Sequence, residues 1–374
     1  MIELFKEKIL HRKYEPLNKI LLFKDNFEHN YKYLSSINPN VKIAPVLKSN
    51  AYGHGIRQMG PLADGFNPPF LAVDSIYEAY ELEKAGVKSP ILIMGYVDPE
   101  NLRFKKLPFM YSVFSFEYAQ MIYKYQPEAN LHLFVDTGMN REGVRVDELG
   151  AFLKQVGTSP IKSNIKGVMS HFADADSEDI TFTKMQVQNF NKAVSMLEDS
   201  GIKVEFNHIA ASFGTLKLPE LAELNCNVAR GGLAMYGYGD SNLKPVLRLT
   251  TKLAQIKKVL QGDRIGYNGT FTATQDMHIG ILPIGYANGV DRRLSNKGIV
   301  TIEEHECKIL GRVSMNITSV DMTNTQNADS NTLVTVISEN PNSVNSLENL
   351  SKICETIPYE LLIHLDSSIR REVV

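Results

Sequence analysis

The most informative stretch of this sequence is V-L-K-S-N-A-Y-G-H-G, from Val46 to Gly55. An apolar run ends at Leu47, Lys48 follows it, and two glycines close the stretch. This order predicts a buried strand that carries Lys48 to its carboxyl end, just before a turn. A lysine amine withdrawn from water can form a Schiff base with an aldehyde cofactor or serve as a base. A lone lysine at a strand end more often extends into solvent, so the rest of the chain must decide between the two interpretations.

Short apolar runs rich in β-branched residues alternate with longer segments of helical period on both sides of this stretch. The alternation is typical of repeated βα units, which build a parallel sheet. Eight such strands predict a closed (β/α)8 TIM barrel in an α/β fold. The expected strands are Ile43–Leu47, Phe70–Val73, Ile91–Met94, Phe109–Val113, Leu131–Val135, Ile165–Met169, Val204–His208 and Asn227–Ala229.

The pattern changes after about Asp240, where short alternating runs are separated by Asn-Gly and Gly-Asp turns. These runs predict a mainly-β C-terminal domain. A chain of 374 residues is also too long for one ordinary core. We therefore expect a barrel over residues 13–240 and a β-rich domain over residues 241–374, joined by residues 1–12.

Composition points away from nucleic acid and membranes. The 40 Lys and Arg residues nearly balance the 42 Asp and Glu residues, so no strong field attracts an anionic polymer or surface. Charges interrupt every apolar pair near the N-terminus, and no apolar run approaches the roughly 18 residues of a membrane helix. Three widely spaced cysteines do not form a disulfide framework. We expect a cytoplasmic protein that acts on small molecules.

Further motifs recur along nearly the whole chain. They are H-L-F-V-D-T-G-M-N-R (132–141), M-S-H-F-A-D-A-D (169–176), H-I-A-A-S (208–212), N-V-A-R-G-G-L (227–233), R-I-G-Y-N-G-T-F (264–271), P-I-G-Y-A-N-G (283–289), G-R-V-S-M-N (311–316) and I-P-Y-E (357–360). Together with Val46–Gly55 they resemble the alanine racemases, which are barrel-type enzymes dependent on pyridoxal phosphate. The resemblance implies an isomerase that carries this cofactor on Lys48 and interconverts L- and D-alanine, the step that supplies D-alanine for biosynthesis.

The resemblance also assigns the cofactor contacts. Arg230, supported by His208, faces the pyridine nitrogen, and a guanidinium that keeps its proton leaves that nitrogen unprotonated. This weakens the ring as an electron sink and favours racemisation over transamination. His171 stacks on the ring. The phosphate is bound by Tyr52, Ser212, Tyr359 and the backbone N–H groups of Gly232 and Leu233.

Racemisation needs a second base opposite Lys48, because one base tends to return the proton to the face it came from. By resemblance this base is Tyr267, which enters the active site of the partner subunit. A homodimer with shared active sites is therefore expected. Arg141 and the backbone N–H of Met315 bind the substrate carboxylate, and Tyr286 lies at the substrate entrance.

The chain departs from the family at several positions. Phe134 stands where members often carry a carbamylated lysine that supports the arginine, so what orients Arg141 is an open question. Asn316 and Asn288 replace the usual aspartates, and Ala211 replaces a common asparagine. Serine or a broader substrate range therefore stays open beside alanine.

A cofactor carrier, a decarboxylase and a metal site are the alternatives to a racemase. A pyridoxal-phosphate carrier or sensor would keep the cofactor contacts without turnover, although known small carriers of this barrel type lack the β domain. A barrel-type decarboxylase could share the lysine, but Arg230 argues against it. Apart from the resemblance, His171 with Asp174 and Asp176 could suggest metal ligands. No second histidine follows at metal spacing, so we expect no metal.

Overall fold

A computed structural model describes residues 15–325 and 327–374 of the chain. The described residues form two compact units, one over residues 24–245 and the other over residues 15–23 and 246–374. The expectation for residues 1–12 lies outside the described residues. Among the residues described, no helix is both long and apolar enough to span a membrane.

The strands and helices have the following bounds. The strands are β1 (Lys19–Leu22), β2 (Lys42–Pro45), β3 (Leu71–Val73), β4 (Ile91–Ile93), β5 (Phe109–Val113), β6 (Leu131–Asp136), β7 (Val144–Arg145), β8 (Ile165–Met169), β9 (Phe206–His208), β10 (Val228–Gly231), β11 (Leu247–Lys252), β12 (Gln255–Val259), β13 (Arg264–Ile265), β14 (Phe271–Thr272), β15 (Met277–Leu282), β16 (Ile299–Ile302), β17 (His305–Leu310), β18 (Thr318–Asp321), β19 (Leu333–Ile337) and β20 (Arg370–Val373). The right-handed α-helices are α1 (Lys24–Ile37), α2 (Ile56–Asp64), α3 (Ile76–Lys84), α4 (Phe116–Tyr125), α5 (Leu149–Gly157), α6 (Thr181–Asp199), α7 (Ser212–Leu216), α8 (Leu347–Ile353) and α9 (Pro358–Ile363).

The first unit is a closed parallel barrel. Strands β3, β4, β5, β6, β8 and β9 pair in that order, and β10 pairs with β2. The ring closes through the Val46–Ala72 bridge on one side and through the Asn227 N–H, which donates to the Asn207 carbonyl at 3.0 Å, on the other. Each of the eight expected strands overlaps one of these strands, so the (β/α)8 barrel is confirmed.

The barrel strands are apolar because both of their faces are covered. Strands β3, β4 and β5 are buried at every residue, which produces continuous apolar runs rather than alternation.

Local sequence signals mark where helix α3 begins and ends. The Ser75 side chain and Glu78 form a capping box at the start of α3, and Gly86, with a φ of 83°, follows its end.

The second unit contains a nine-stranded sheet in the order β12-β15-β18-β17-β16-β19-β11-β1-β20. The mainly-β C-terminal domain is therefore confirmed. Strand β1 differs from the expected boundary at residue 13, because it lies in this sheet and not in the barrel. It pairs antiparallel with β11 and parallel with β20, and its residues alternate between half-buried and buried. This alternation suits a sheet covered on one face, whereas the barrel strands β3, β4 and β5 are buried at every residue.

Candidate active site

The predicted cofactor residues follow the carboxyl ends of barrel strands. Lys48 follows β2, His171 follows β8, Ser212 follows β9, and Gly232 with Leu233 follows β10. Parallel strands all end at the same mouth of a barrel, so the fold gathers residues that are far apart in sequence. The fold therefore places the predicted cofactor residues at the barrel mouth where barrel enzymes have their active sites.

Lys48 is followed by a left-handed turn. Ser49, Asn50, Ala51 and Tyr52 have φ values of 54°, 55°, 54° and 51°. This conformation costs an L-residue about 1–2 kcal/mol, so its surroundings must impose it. Glu78 accepts a hydrogen bond from the Asn50 N–H at 3.2 Å, and the Asn50 side chain accepts one from the Ile56 N–H at 2.9 Å. Sequence analysis missed Glu78, because only the folded chain brings it to this turn.

A candidate phosphate cradle, formed by Tyr52, Ser212 and Gly232, lies beside this turn. The Ser212 hydroxyl accepts hydrogen bonds from the backbone N–H groups of Gly232 and Ala234, both at 3.1 Å. These bonds use both lone pairs, so the hydroxyl hydrogen can be donated to an anion. A Cβ added at Gly232 would lie 2.7 Å from the Tyr52 phenol oxygen and 3.4 Å from the Ser212 oxygen. Two hydroxyl groups therefore converge where a side chain at residue 232 would lie, and this arrangement fits a phosphate group.

Arg230 lies buried in β10 and is held by both of its terminal nitrogens. Nη1 donates to the Nδ1 atom and the carbonyl oxygen of His208, each at 2.8 Å, and Nη2 donates to the Ser170 carbonyl at 2.7 Å. Burial lowers the pKa of Arg230 to about 10, which leaves it a cation at neutral pH. A cation can be buried here because these acceptors satisfy its donors.

His171 is neutral and lies among three cations. Its Nδ1 atom is 3.1 Å from Arg230 Nη2. Burial, followed by the charges of Arg230, Arg141 and Lys48, lowers the pKa of His171 to about 3. The same residues that hold the imidazole neutral form a positive site, which suits a phosphorylated cofactor and a substrate carboxylate. Asp174 and Asp176 are exposed, and residues 15–325 and 327–374 contain no cluster of metal-ligating side chains around His171.

The remaining predicted residues lie in the β-rich unit. Tyr267, Tyr286 and Met315 are all exposed and form what we call the tyrosine patch. The Tyr286 N–H donates to the Ser314 carbonyl at 3.0 Å, and a Cβ added at Gly266 would lie 3.3 Å from the Arg312 nitrogen, so neighbouring loops carry the three side chains. Tyr359 is half-buried in α9 of the same unit.

Comparison with known proteins agrees with this arrangement. A model of the alanine racemase N-terminal domain matches residues 23–240, and one of the alanine racemase C-terminal domain matches residues 246–373. The chain belongs to the alanine racemase family. This confirms the predicted family, the isomerase class and the dependence on pyridoxal phosphate.

Curated relatives and solved structures cover almost the whole chain. The alanine racemase of Syntrophobacter fumaroxidans is 33% identical over 349 residues, which are 89% of this chain and 91% of the relative. That of Methanococcus maripaludis is 31% identical over 92% of this chain and 95% of the relative. The structure of alanine racemase from Bacillus anthracis with bound L-Ala-P is 29% identical with a TM-score of 0.87, and covers 96% of each chain. That from E. faecalis is 28% identical, also with a TM-score of 0.87, and covers 97% of this chain and 99% of its own.

Family membership makes the loop around Arg141 informative, because Phe134 cannot support an arginine. The Asp136 carboxylate accepts hydrogen bonds from the Gly138 N–H at 2.9 Å and the Asn140 N–H at 3.1 Å, which fixes the turn before Arg141. Arg141 Nε lies 3.5 Å from the Glu142 carboxylate. The described contacts beside Arg141 therefore come from its own loop, through the hydrogen-bonded turn and the neighbouring acid. Sequence analysis missed both carboxylates, although the D-T-G turn signal was visible.

Two of the other departures from the family contact each other. The Asn316 side-chain amide donates to the Asn288 side-chain oxygen at 3.2 Å, and the same oxygen accepts from the Gly285 N–H at 3.1 Å. Two aspartates in this geometry would place like charges together, whereas two asparagines pair. The substitutions are therefore coupled, and the pair lies beside Met315 in the tyrosine patch.

Proposed function

We propose that this chain interconverts L- and D-alanine, with pyridoxal phosphate on Lys48 and with Lys48 and Tyr267 as the two bases. The observation that carries the proposal is the arrangement of the barrel mouth after Lys48, where a phosphate cradle lies together with a buried Arg230 whose Nη2 atom is 3.1 Å from His171 Nδ1. When bound, pyridoxal phosphate supplies a ring that draws electrons from the substrate Cα and makes its proton acidic.

The barrel residues would bind and orient the cofactor. The hydroxyl groups of Tyr52 and Ser212 and the Leu233 N–H would donate to its phosphate, with Tyr359 as a further donor. Gly232, whose N–H donates to Ser212, would leave room for the phosphate. The described hydrogen bonds of Arg230 are made by its terminal nitrogens, so its Nε–H is the donor that we assign to the ring nitrogen. A guanidinium retains this proton, which limits electron withdrawal and favours racemisation.

The two bases would act on opposite faces of the substrate. Once the substrate amino group has replaced Lys48 on the cofactor, Lys48 Nζ would be a free amine. Tyr267 Oη would then take the α-proton of L-alanine and Lys48 Nζ would return one on the other face, with the roles reversed for D-alanine. Arg141 and the Met315 N–H bind the substrate carboxylate and hold Cα between the bases. Tyr286 narrows the entrance. Alanine is the substrate that this small, tyrosine-lined site would favour over serine or larger amino acids.

A homodimer with shared active sites follows from this assignment. Tyr267 is 67% exposed in the single chain, whereas a catalytic base works best where water is excluded. We therefore infer that the tyrosine patch of each chain docks at the barrel mouth of its partner.

We also propose a cytoplasmic location. The three cysteines are free thiols, as expected in a reducing compartment.

The second base is tested by Tyr267→Phe. The variant should lose the proton transfer from L-alanine, with a rate about 10²- to 10⁴-fold lower, measured as D-alanine formation. Tyr77→Phe is the matched control, because Tyr77 is also 67% exposed and lies on α3. A wild-type rate for Tyr267→Phe in both directions would exclude the assignment. Cofactor binding by the wild-type chain without any D-alanine would favour the carrier.

Shared active sites are tested by mixing two inactive variants, Lys48→Ala and Tyr267→Phe. Half of the dimers in a statistical mixture are hybrids, and each hybrid regains one intact site. We expect about a quarter of the wild-type rate after subunit exchange. If both bases came from one chain, no hybrid would contain an intact site, and the mixture would stay inactive.

A further inference from the structure

A row of three hydrogen-bonded side chains, Arg230, His208 and His132, runs from β10 into the barrel interior. His132 lies in β6, is fully buried, and its Nδ1 atom is 2.7 Å from His208 Nε2. His208 Nδ1 in turn is 2.8 Å from Arg230 Nη1. His132 is not among the residues to which the proposed function gives a role, yet it is joined to the cofactor arginine through one intervening ring.

Arg230 decides which nitrogen carries the proton in each histidine of this row. A guanidinium can only donate, so His208 Nδ1 must be an acceptor without a proton. The proton of neutral His208 is then on Nε2, and it is donated to His132 Nδ1. His132 must therefore carry its own proton on Nε2. Burial, with the added charge of Arg230, holds the pKa of His208 well below its usual value and that of His132 at about 3, which agrees with two neutral rings.

The surroundings hold the His132 ring in one orientation. A Cβ added at Gly167 of β8 would lie 2.5 Å from His132 Nδ1, so only a glycine leaves room for the ring. Phe206 stacks on the ring with centroids 5.4 Å apart, and the edge of Phe70 packs at 5.4 Å. Packing against β8, β9 and the residue before β3 therefore aims Nδ1 at His208.

The end of this row that lies away from Arg230, the Nε2 atom of His132, also has a polar neighbour. Ser112 of β5 lies directly opposite His132 in the strand register. Both His132 Nε2 and Ser112 Oγ are buried without a hydrogen-bond partner in the described part of the protein. Two buried polar groups at paired strand positions suit one bridging water, which would accept the Nε2–H of His132. Sequence analysis quoted His132 only as the first letter of a motif.

We propose that His132 is a positioning residue that fixes the tautomer of His208 and, through it, the orientation of Arg230. The inference rests on the proposed place of Arg230 beside the cofactor ring. Without an acceptor at His132 Nδ1, the Nε2–H of His208 would be a buried unsatisfied donor. Moving that proton to Nδ1 would aim it at the N–H of Arg230, and two donors would face each other. His132 therefore maintains the lone pair that holds the guanidinium.

The test compares His132→Asn with His132→Phe in the apoenzyme. The Asn side-chain oxygen replaces the acceptor at Nδ1, whereas Phe keeps a ring of similar shape without an acceptor. Nitrogen-15 spectra of the histidine rings report which nitrogen carries the proton. We expect Nε2–H for His208 in the wild type and in His132→Asn, and a loss of this single tautomer in His132→Phe. Pyridoxal phosphate should bind about tenfold more weakly to His132→Phe, with near wild-type affinity for His132→Asn.

Tyr111→Phe is the matched control. Tyr111 precedes Ser112 in β5, is buried, and has a phenol oxygen without a hydrogen-bond partner in the described residues. Its side chain points to the opposite face of the strand, so the His208 spectrum should not change. Thermal denaturation checks that each variant folds.

Three results would overturn the inference. The first is a wild-type spectrum with the His208 proton on Nδ1, which needs no variant. The second is His132→Phe with an unchanged His208 spectrum and cofactor affinity. The third is a folded His132→Asn that behaves like His132→Phe, because shape and not the acceptor would then matter. A chain that shows the expected spectra but makes no D-alanine would contradict the proposed function and leave the role of His132 intact.

Discussion

Gly232→Ala tests the phosphate cradle more directly than any other single substitution. The added Cβ would lie 2.7 Å from the Tyr52 phenol oxygen, so the phenol must retreat by about 0.7 Å to reach ordinary contact distance. Tyr52 has little room to do so, because it is buried and its ring lies 5.1 Å from that of Tyr236. The methyl group also lies 3.4 Å from the Ser212 oxygen and occupies space in the cradle.

The expected magnitude follows from the hydrogen bonds at risk. A hydrogen bond to a charged group such as phosphate contributes about 1.5–3 kcal/mol. Losing the Tyr52 contact alone should weaken pyridoxal phosphate binding roughly 10- to 150-fold. Overpacking of this kind should also lower the free energy of unfolding by about 1–3 kcal/mol.

The assay is titration of the apoenzyme with pyridoxal phosphate, followed by its absorbance. Gly157→Ala is the matched control, because Gly157 is the last residue of α5 and an added Cβ meets no atom within 4 Å. The control should bind the cofactor normally and gain about 0.5–1 kcal/mol of stability. If Gly232→Ala bound the cofactor as tightly as the wild type, the phosphate could not lie against Gly232.

Three further predictions concern stability and substrate binding. Burial holds the pKa of His132 at about 3 in the folded protein, whereas the histidine of the unfolded chain takes up a proton below pH 6.5, so the free energy of unfolding should fall as the pH falls from 6.5. His132→Asn removes this proton uptake, so its free energy of unfolding should fall less steeply, by about 1.4 kcal/mol per pH unit. Thermal unfolding at several pH values measures this, and equal slopes for the wild type and the variant would contradict the low pKa of His132. Asn316→Asp removes the donor to Asn288 and adds a charge beside Met315, where we propose that the substrate carboxylate binds. KM for alanine should therefore rise roughly two- to tenfold, with an unchanged KM as the contrary result. Asp136→Ala removes the acceptor for two N–H groups before Arg141 and should raise KM about tenfold, whereas an equal loss of cofactor affinity would point to general unfolding of the loop.

The barrel and its mouth could be predicted because they depend on local patterns. Strands buried on both faces require apolar runs, and each run sets the position of the polar residue that follows it. Lys48, His171 and Ser212 could therefore be assigned to one mouth from the predicted strands together with the resemblance to the alanine racemases. The domain boundary near the N-terminus could not be predicted in this way. Strand β1 joins the C-terminal sheet through pairing with β11, more than two hundred residues away in the chain.

The sequence by itself, through its resemblance to the alanine racemases, assigned the residues on which the proposed chemistry depends: a lysine at a strand end, a glycine pair for the phosphate, an arginine for the ring nitrogen and a second base. Only the tertiary structure decided how these groups are held. The left-handed turn after Lys48 depends on Glu78, the turn before Arg141 depends on Asp136, and the tautomer of His208 depends on the distant His132. Hydrogen-bond partners brought together by folding fix such details, because a residue type states what can be donated or accepted but not which neighbour will be there.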